Sequence, residues 1–405
     1  MVAEIKSGVP SDDLHPQMFT FGSAKDVMTA CPIEDLAPTI ADMKSDQMTR
    51  FKAFQDLSLE IPQPEFAVEP TKARITGRNF PSKPLIGDLD LYCMPGGRII
   101  GEGVVVSNKN LIITESAWYL QLGYNGKIPT PTDTFWGVRA DDPHEYINDI
   151  VLFCGYHLRD MYSHFLVFTI LIIILYRKLV PKTDLVIVYP GFFKVRLREM
   201  MSLIECDYDI REHTKSFAAK KLVYMRLSYM DWNFIKLIYA CRDSINDVVA
   251  RAYARVPLKN NANADRIYIM RGQNAPRRRL LNEQILIERL KKIGFYILDC
   301  GKEPFPDAIA KIGRARLIVS PHGASALNVL FGSAGSTYVE IVPSKFFSVA
   351  HSKEILMAAR ARSMNCGVSM SADVVSNQMY PERDFHCDGL ADIDELLRLI
   401  KSIDC

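Results

Sequence analysis

The chain has 405 residues, 48% of them hydrophobic and 24% charged, and carries a formal net charge of +2. That length exceeds one ordinary core and points to two domains, while the composition is that of a soluble globular protein and excludes collagenous and disordered classes. The small net charge leaves no polyanion footprint, so any nucleotide bound is expected to be a small ligand and not a nucleic-acid strand.

The nine cysteines are scattered without C-x-x-C or zinc-like spacing and read as reduced thiols. With no basic-then-apolar leader in "MVAEIKSGVPSDDLHPQ", a cytoplasmic protein is expected. Residues 1–78 hold proline-broken acidic segments such as "EIPQPEFAVEP" and are read as an irregular N-terminal arm. Residues 79–250 are read as a first Rossmann-like domain. Its strands lie in "RIIGEGVVVSN", "LIITES", "YINDIVLFCG" and "DLVIVYPG", and its helices in "MYSHFLVFTILIIILYRKLV" and "FFKVRLREMMSLI". The apolar run from Phe165 to Tyr176 has 12 residues where a membrane span needs about 20, which predicts a buried core helix. Peripheral docking at the inner face of a membrane is the other reading of that run.

Residues 251–405 are read as a second Rossmann-like domain. Strands are expected in "RIYIMRG", "FYILDC", "RLIVS" and "STYVEIVP", and helices in "LLNEQILIERLKKIG", "FPDAIAKIGRA", "ASALNVLFGSA" and "DIDELLRLIKSI". Gly294 stands just past the first of these helices, where a left-handed cap belongs. Continuous apolar strands alternating with helices predict a parallel, doubly wound α/β sheet.

In such sheets ligands sit at the carboxyl ends of strands, where the next helix offers free N–H groups to an anion. "SPHGAS" has that placement: Gly323 permits close backbone approach, Ala324 and Ser325 keep the first turn narrow, and His322 either donates to a phosphate oxygen or is structural. Arg271 ends one strand, and Arg277, Arg278 and Arg279 precede a helix capped by Asn282 and Glu283. These arginines suit phosphate recognition or form a solvated surface run. Glu340 is a carboxylate inside an apolar strand, fit to accept ribose hydroxyls or to sit in a core ion pair. The D-x-D pairs Asp88/Asp90, Asp207/Asp209 and Asp392/Asp394 are loose matches from which no metal site is drawn, and the last reads as a helix start.

The ordered set "IYIMR…RRLLNE…GF…ARLIVSPHGASALNVLF…YVEIVP" resembles family 61 of the glycosyltransferases, over residues 97 to 345 or so. The resemblance implies the two-domain nucleotide-sugar transferase fold called GT-B, with the donor in the C-terminal domain and the acceptor across a cleft. It places Arg271, Arg278, His322, Gly323, Asn328 and Glu340 on the family's donor-side motif and His164 on the His of its helix motif. A metal-independent, inverting transfer from a nucleotide-diphosphate sugar, a uridine diphosphate sugar foremost, to a glycan or lipid-linked acceptor follows as the expected function. Surface polysaccharide or capsule synthesis in a bacterium is the expected setting, with no cofactor. For the catalytic base the candidates are His164, His157 and Asp160.

At the polar positions of the family's helix motif this chain has Phe168, Leu171 and Ile172. That departure keeps a second expectation open, a non-catalytic nucleotide-sugar-binding relative acting as a scaffold or regulator. A nicotinamide oxidoreductase is disfavoured because no G-x-G-x-x-G follows a first strand, and an α/β-hydrolase because no G-x-S-x-G elbow occurs.

Overall fold

The computed structural model describes residues 20–22, 29–31, 49–54, 65–66, 89–100, 104–108, 111–113, 145–154, 161–180, 186–189, 191–206, 208–211, 216–225, 233–256, 265–271, 279–343, 365–375 and 388–404. The described chain is a mixed α/β protein built on two sheets, one of eleven strands and one of seven.

The first sheet begins with β1 (Thr20–Gly22), β2 (Thr29–Cys31) and β3 (Thr49–Phe54), whereas β4 (Glu65–Phe66) belongs to the second. It continues with β5 (Leu89–Pro95), β6 (Arg98–Ile100), β7 (Val104–Val106), β8 (Leu111–Ile113) and β9 (Tyr146–Phe153). After β9 the chain forms α1 (Tyr162–Phe165), a π-helical turn (Leu166–Ile170) and α2 (Leu171–Leu179), one continuous helical rod. Then come β10 (Val186–Val188), α3 (Lys194–Leu203), β11 (Asp209–Arg211) and β12 (Phe217–Met225), followed by α4 (Asn233–Ala240) and α5 (Arg242–Arg255). Strands β11, β10, β9 and β12 lie side by side and parallel, in an order that reverses direction at β9.

Strands β5 to β8 depart from the expected all-parallel pattern. Both β5 and β6 run antiparallel to β12, and β7 is antiparallel to both β6 and β8. Residues 101–103 alone join β6 to β7, and so short a link cannot make a parallel crossover, which takes a dozen residues or more. The described pieces of residues 1–78 are strands: β1 joins β8, β3 joins β5, and β4 lies beside β17 of the second sheet.

The second sheet contains β13 (Arg266–Ile269), β14 (Tyr296–Leu298), β15 (Leu317–Pro321), β16 (Thr337–Pro343), β17 (Asn365–Val375) and β18 (Asp388–Ala391). They stand in the order β14-β13-β15-β16-β17-β18. All neighbours in that row are parallel except β17 with β18. Its helices are α6 (Glu283–Lys292), α7 (Phe305–Arg314), a 3-10 helix (Ala324–Phe331) and α8 (Ile393–Asp404).

Strand residues alternate between two buried layers, as period two requires. Ile267, Ile269, Ile318, Tyr338 and Val342 face α7 and the 3-10 helix, while Tyr268, Leu317, Val319, Val339 and Ile341 face α6 and α8. The first layer is continuous with the core of the other sheet. At their contact a Cβ on Gly313 of α7 would come within 2.6 Å of the Tyr253 hydroxyl and the Val249 Cγ1 of α5. Gly294 takes φ 86 after α6, with Phe295 N donating to Leu290 O at 3.1 Å, the left-handed cap expected there.

The helix of 18 residues from Tyr162 to Leu179 is apolar enough to cross a membrane, yet 78% of it is buried inside the protein. It packs as a core element, with Phe165, Ile172 and Leu175 fully covered. "ASALNVLF" is helical as expected, but wound with 3-10 geometry.

Candidate functional site

Where the strand order reverses between β13 and β15, the carboxyl ends of two strands diverge and leave a crevice. Arg271 follows β13, and His322 and Gly323 follow β15. Arg271 is fixed at both ends: Glu283 Oε1 accepts from its backbone N at 3.2 Å and from the Tyr268 hydroxyl at 2.9 Å. The Arg271 Nη1 donates to His322 O at 2.5 Å. A Cβ on Gly323 would stand 1.7 Å from that Nη1 and 2.7 Å from Cζ, so the guanidinium occupies the space a side chain would need.

His322 is 1% exposed and Glu340 fully buried, and Nδ1 of the imidazole lies 2.7 Å from Glu340 Oε1. Register explains the contact, since Ser320 pairs with Glu340 between β15 and β16 and places the His322 turn directly above. Glu340 therefore meets a buried imidazole, and the contact anchors the turn from behind. Asn328 is fully buried and oriented by donating Nδ2 to Ser325 O at 2.7 Å, leaving Oδ1 to accept from the Tyr162 hydroxyl at 2.7 Å. Burial holds the Tyr162 phenol well above its ordinary pKa, against the opposing effect of its hydrogen bond to Asn328.

A cavity of about 370 Å³ opens at this crevice. One wall is Arg271, Ala324, Ser325, Cys300 and Gly301, and the facing wall is Tyr162, Phe193 and Arg196 from the other half. The Ser325 hydroxyl makes no hydrogen bond among the described residues. Burial pushes the Cys300 thiol up to about 12, with Arg196 pulling the other way, so the thiol is neutral at physiological pH. The guanidinium of Arg271 and the amides of Ala324 and Ser325, which precede the first hydrogen bond of the 3-10 helix, give the cavity donors suited to an anionic ligand.

His164 lies elsewhere. It is 2% exposed, its ring edge-on to Phe168 at 5.1 Å, and it does not line the cavity. His157, Asp160, Arg277 and Arg278 lie outside the described residues, as do Asp88 and Asp207. Asp209 is paired with Arg211 at 2.7 Å, and Asp392 Oδ1 caps α8 by accepting from Glu395 N at 3.0 Å. Asn282 does not cap α6 with its side chain but bridges to Ala391 of β18 in both directions, at 2.8 and 2.9 Å.

Tyr162, Phe193, Arg196 and Glu283 were not singled out as site residues from the sequence. Tyr162 stood inside the helix motif, and Arg196 looked like one more charge on an amphipathic helix. A larger, more open cavity of about 640 Å³, lined by Arg198, Ser202, Tyr208 and Arg255 among others, includes none of the strand-end residues. Two carboxylates on its wall are already paired, Glu205 with Arg251 and Asp209 with Arg211.

Fold and site together define a mixed α/β protein with a cationic cavity at the carboxyl ends of parallel strands, and comparison with known families makes it a glycosyltransferase. Residues 160–339 match the family model described as Glycosyltransferase 61, so the chain carries a glycosyltransferase family 61 domain. The matched span contains Arg271, His322, Gly323, Ala324 and Asn328 and stops one residue short of Glu340. No curated protein matches the chain.

Proposed function

We propose that the cavity holds the donor of a nucleotide-diphosphate sugar, a uridine diphosphate sugar first among them, and that the sugar passes to a glycan or lipid-linked acceptor approaching from the Tyr162 and Phe193 wall. The observation that carries this reading is the Arg271 guanidinium, locked over Gly323 beside the 324–325 amides at the point where the strand order reverses. On it, the two halves act as the donor and acceptor domains of a GT-B transferase, divided near residue 250.

The chemistry follows from charge. The acceptor oxygen attacks the anomeric carbon as the bond to the diphosphate oxygen breaks, the diphosphate departs with the electron pair, and the acceptor proton goes to a base. Fixed donors at the diphosphate stabilise the negative charge that develops on it, without reorganisation during the reaction. This makes the transfer an inverting, metal-independent displacement. Among the base candidates, His164 is buried and does not line the cavity, which leaves His157 and Asp160 as the residues to test for the role.

Thermal unfolding with a panel of nucleotide sugars tests the reading. At a hundredfold excess over Kd, binding adds about 2.7 kcal/mol of apparent stability. One sugar nucleotide should raise Tm by several degrees, and Arg271→Ala should abolish the shift. No stabilisation by any member of the panel, or an undiminished shift in Arg271→Ala, overturns the assignment.

A further inference from the structure

Two side chains of α3 reach across to the other half of the molecule. Arg196 donates Nη1 to Glu303 O at 2.5 Å and to Glu199 Oε2 at 3.2 Å. It donates Nη2 to Cys300 O at 2.9 Å and to Gly301 O at 3.3 Å. Glu199 Oε2 also accepts from Phe305 N at 3.1 Å, the first amide of α7, whose N-cap Pro304 offers no side-chain acceptor. Three residues apart, the two project from one face of α3, and together they hold Cys300, Gly301, Glu303 and Phe305 along the turn that links β14 to α7. Inside that turn the Glu303 carboxylate is bound by Lys311 Nζ and by the Tyr296 hydroxyl, the latter at 3.2 Å, so Arg196 grips a segment braced from behind.

The turn supplies Cys300 and Gly301 to the cavity wall. Arg196 lines the same cavity, yet all its Nη hydrogens point at protein acceptors, and the carboxylate of Glu199 offsets its charge. We infer that Arg196 and Glu199 are a positioning pair: they set the Cys300–Gly301 wall and thereby couple donor binding to the packing of the two halves. Arg196 acts through its planar fork, which spans carbonyls that the single ammonium of a lysine cannot bridge together. Glu199 serves as the missing cap of α7, a carboxylate at a helix N-terminus. The inference rests on the donor reading of the cavity.

The test uses Arg196→Lys, Glu199→Ala and the double variant in the full chain. Kd for uridine diphosphate is measured by calorimetry, and hydrogen exchange is followed at residues 299–305. Each single change is expected to weaken uridine diphosphate about tenfold and to speed exchange in the turn while leaving α6 protected. The double variant should bind no more weakly than the worse single, because the two residues act as a unit. Wild-type affinity and protection in Arg196→Lys would show that charge alone suffices and overturn the inference, as would losses that multiply in the double variant. If the wild-type protein binds no uridine diphosphate, the donor reading for that nucleotide fails, and the exchange rates alone decide whether the pair holds the turn.

Discussion

Gly323 concentrates the site's design at one atom position. Its backbone is extended, at φ 162 and ψ 179, a conformation open to any residue, so the requirement for glycine comes from the neighbour. Arg271 Nη1 fills the space of the absent Cβ while bonding the His322 carbonyl one residue back. Gly323→Ala must therefore expel the guanidinium or shift the turn. Overpacking of this kind costs about 1–3 kcal/mol, and the loss should appear as a lower Tm. On the donor reading it should also weaken nucleotide binding, because Arg271 cannot keep its place. An alanine variant with wild-type stability and wild-type nucleotide affinity would mean that Arg271 has another resting position of equal energy. His322 and Glu340 then have a clear part beneath this arrangement: a buried pair bonded at 2.7 Å ties the turn to β16 and fixes the carbonyl that Arg271 grasps.

At the scale of elements, the rod from Tyr162 to Leu179 joins packing to function. Its apolar content serves the core, and its first residue, Tyr162, reaches the cavity and Asn328. Leu175 is fully buried, and Leu175→Ala should cost about 2–5 kcal/mol, the range for emptying such a position. Denaturant titration should show a lower midpoint with an unchanged slope; a cost under half a kilocalorie would mean the rod is not packed as described. Much of this level was legible in the sequence. Strands β13, β15 and β16 are apolar on both faces and are covered on both faces, and Gly294 marked the end of α6. The antiparallel run β5 to β8 was not legible, because strand direction depends on which distant partner is met, and a β-branched run reads the same either way. Nor was the 3-10 winding of "ASALNVLF", since it changes hydrogen-bond spacing and not which residues are apolar. In the site, Arg271, His322 and Gly323 stood out because each sits just past a strand end, and Glu340 because it is a carboxylate inside an apolar strand. Tyr162 and Arg196 did not, since they meet partners 166 and 104 residues away, and no local spacing encodes such a contact.

For the whole molecule, two sheets suggest two domains that could unfold separately, but the packing argues otherwise. One buried cluster runs from Leu89 of the first sheet to Val342 of the second. Helices α5 and α7 meet so closely that Gly313 has no room for a Cβ, and β4, which precedes the first sheet's central strands in the chain, pairs with β17 of the second. Arg196, Glu199 and Tyr162 add polar links across the same boundary. Separating the halves would expose apolar surface at about 25 cal/mol per Å² and strand these buried polar groups, so neither half has a favourable state without the other. Equilibrium unfolding in urea is thus expected to give one transition, with near-ultraviolet and far-ultraviolet circular dichroism coinciding. Gly313→Leu, which wedges α5 from α7, should lower the midpoint and, if the contact is what unites the halves, split the transition in two. Two steps already in the wild-type protein would show that the shared core is weaker than either half's own.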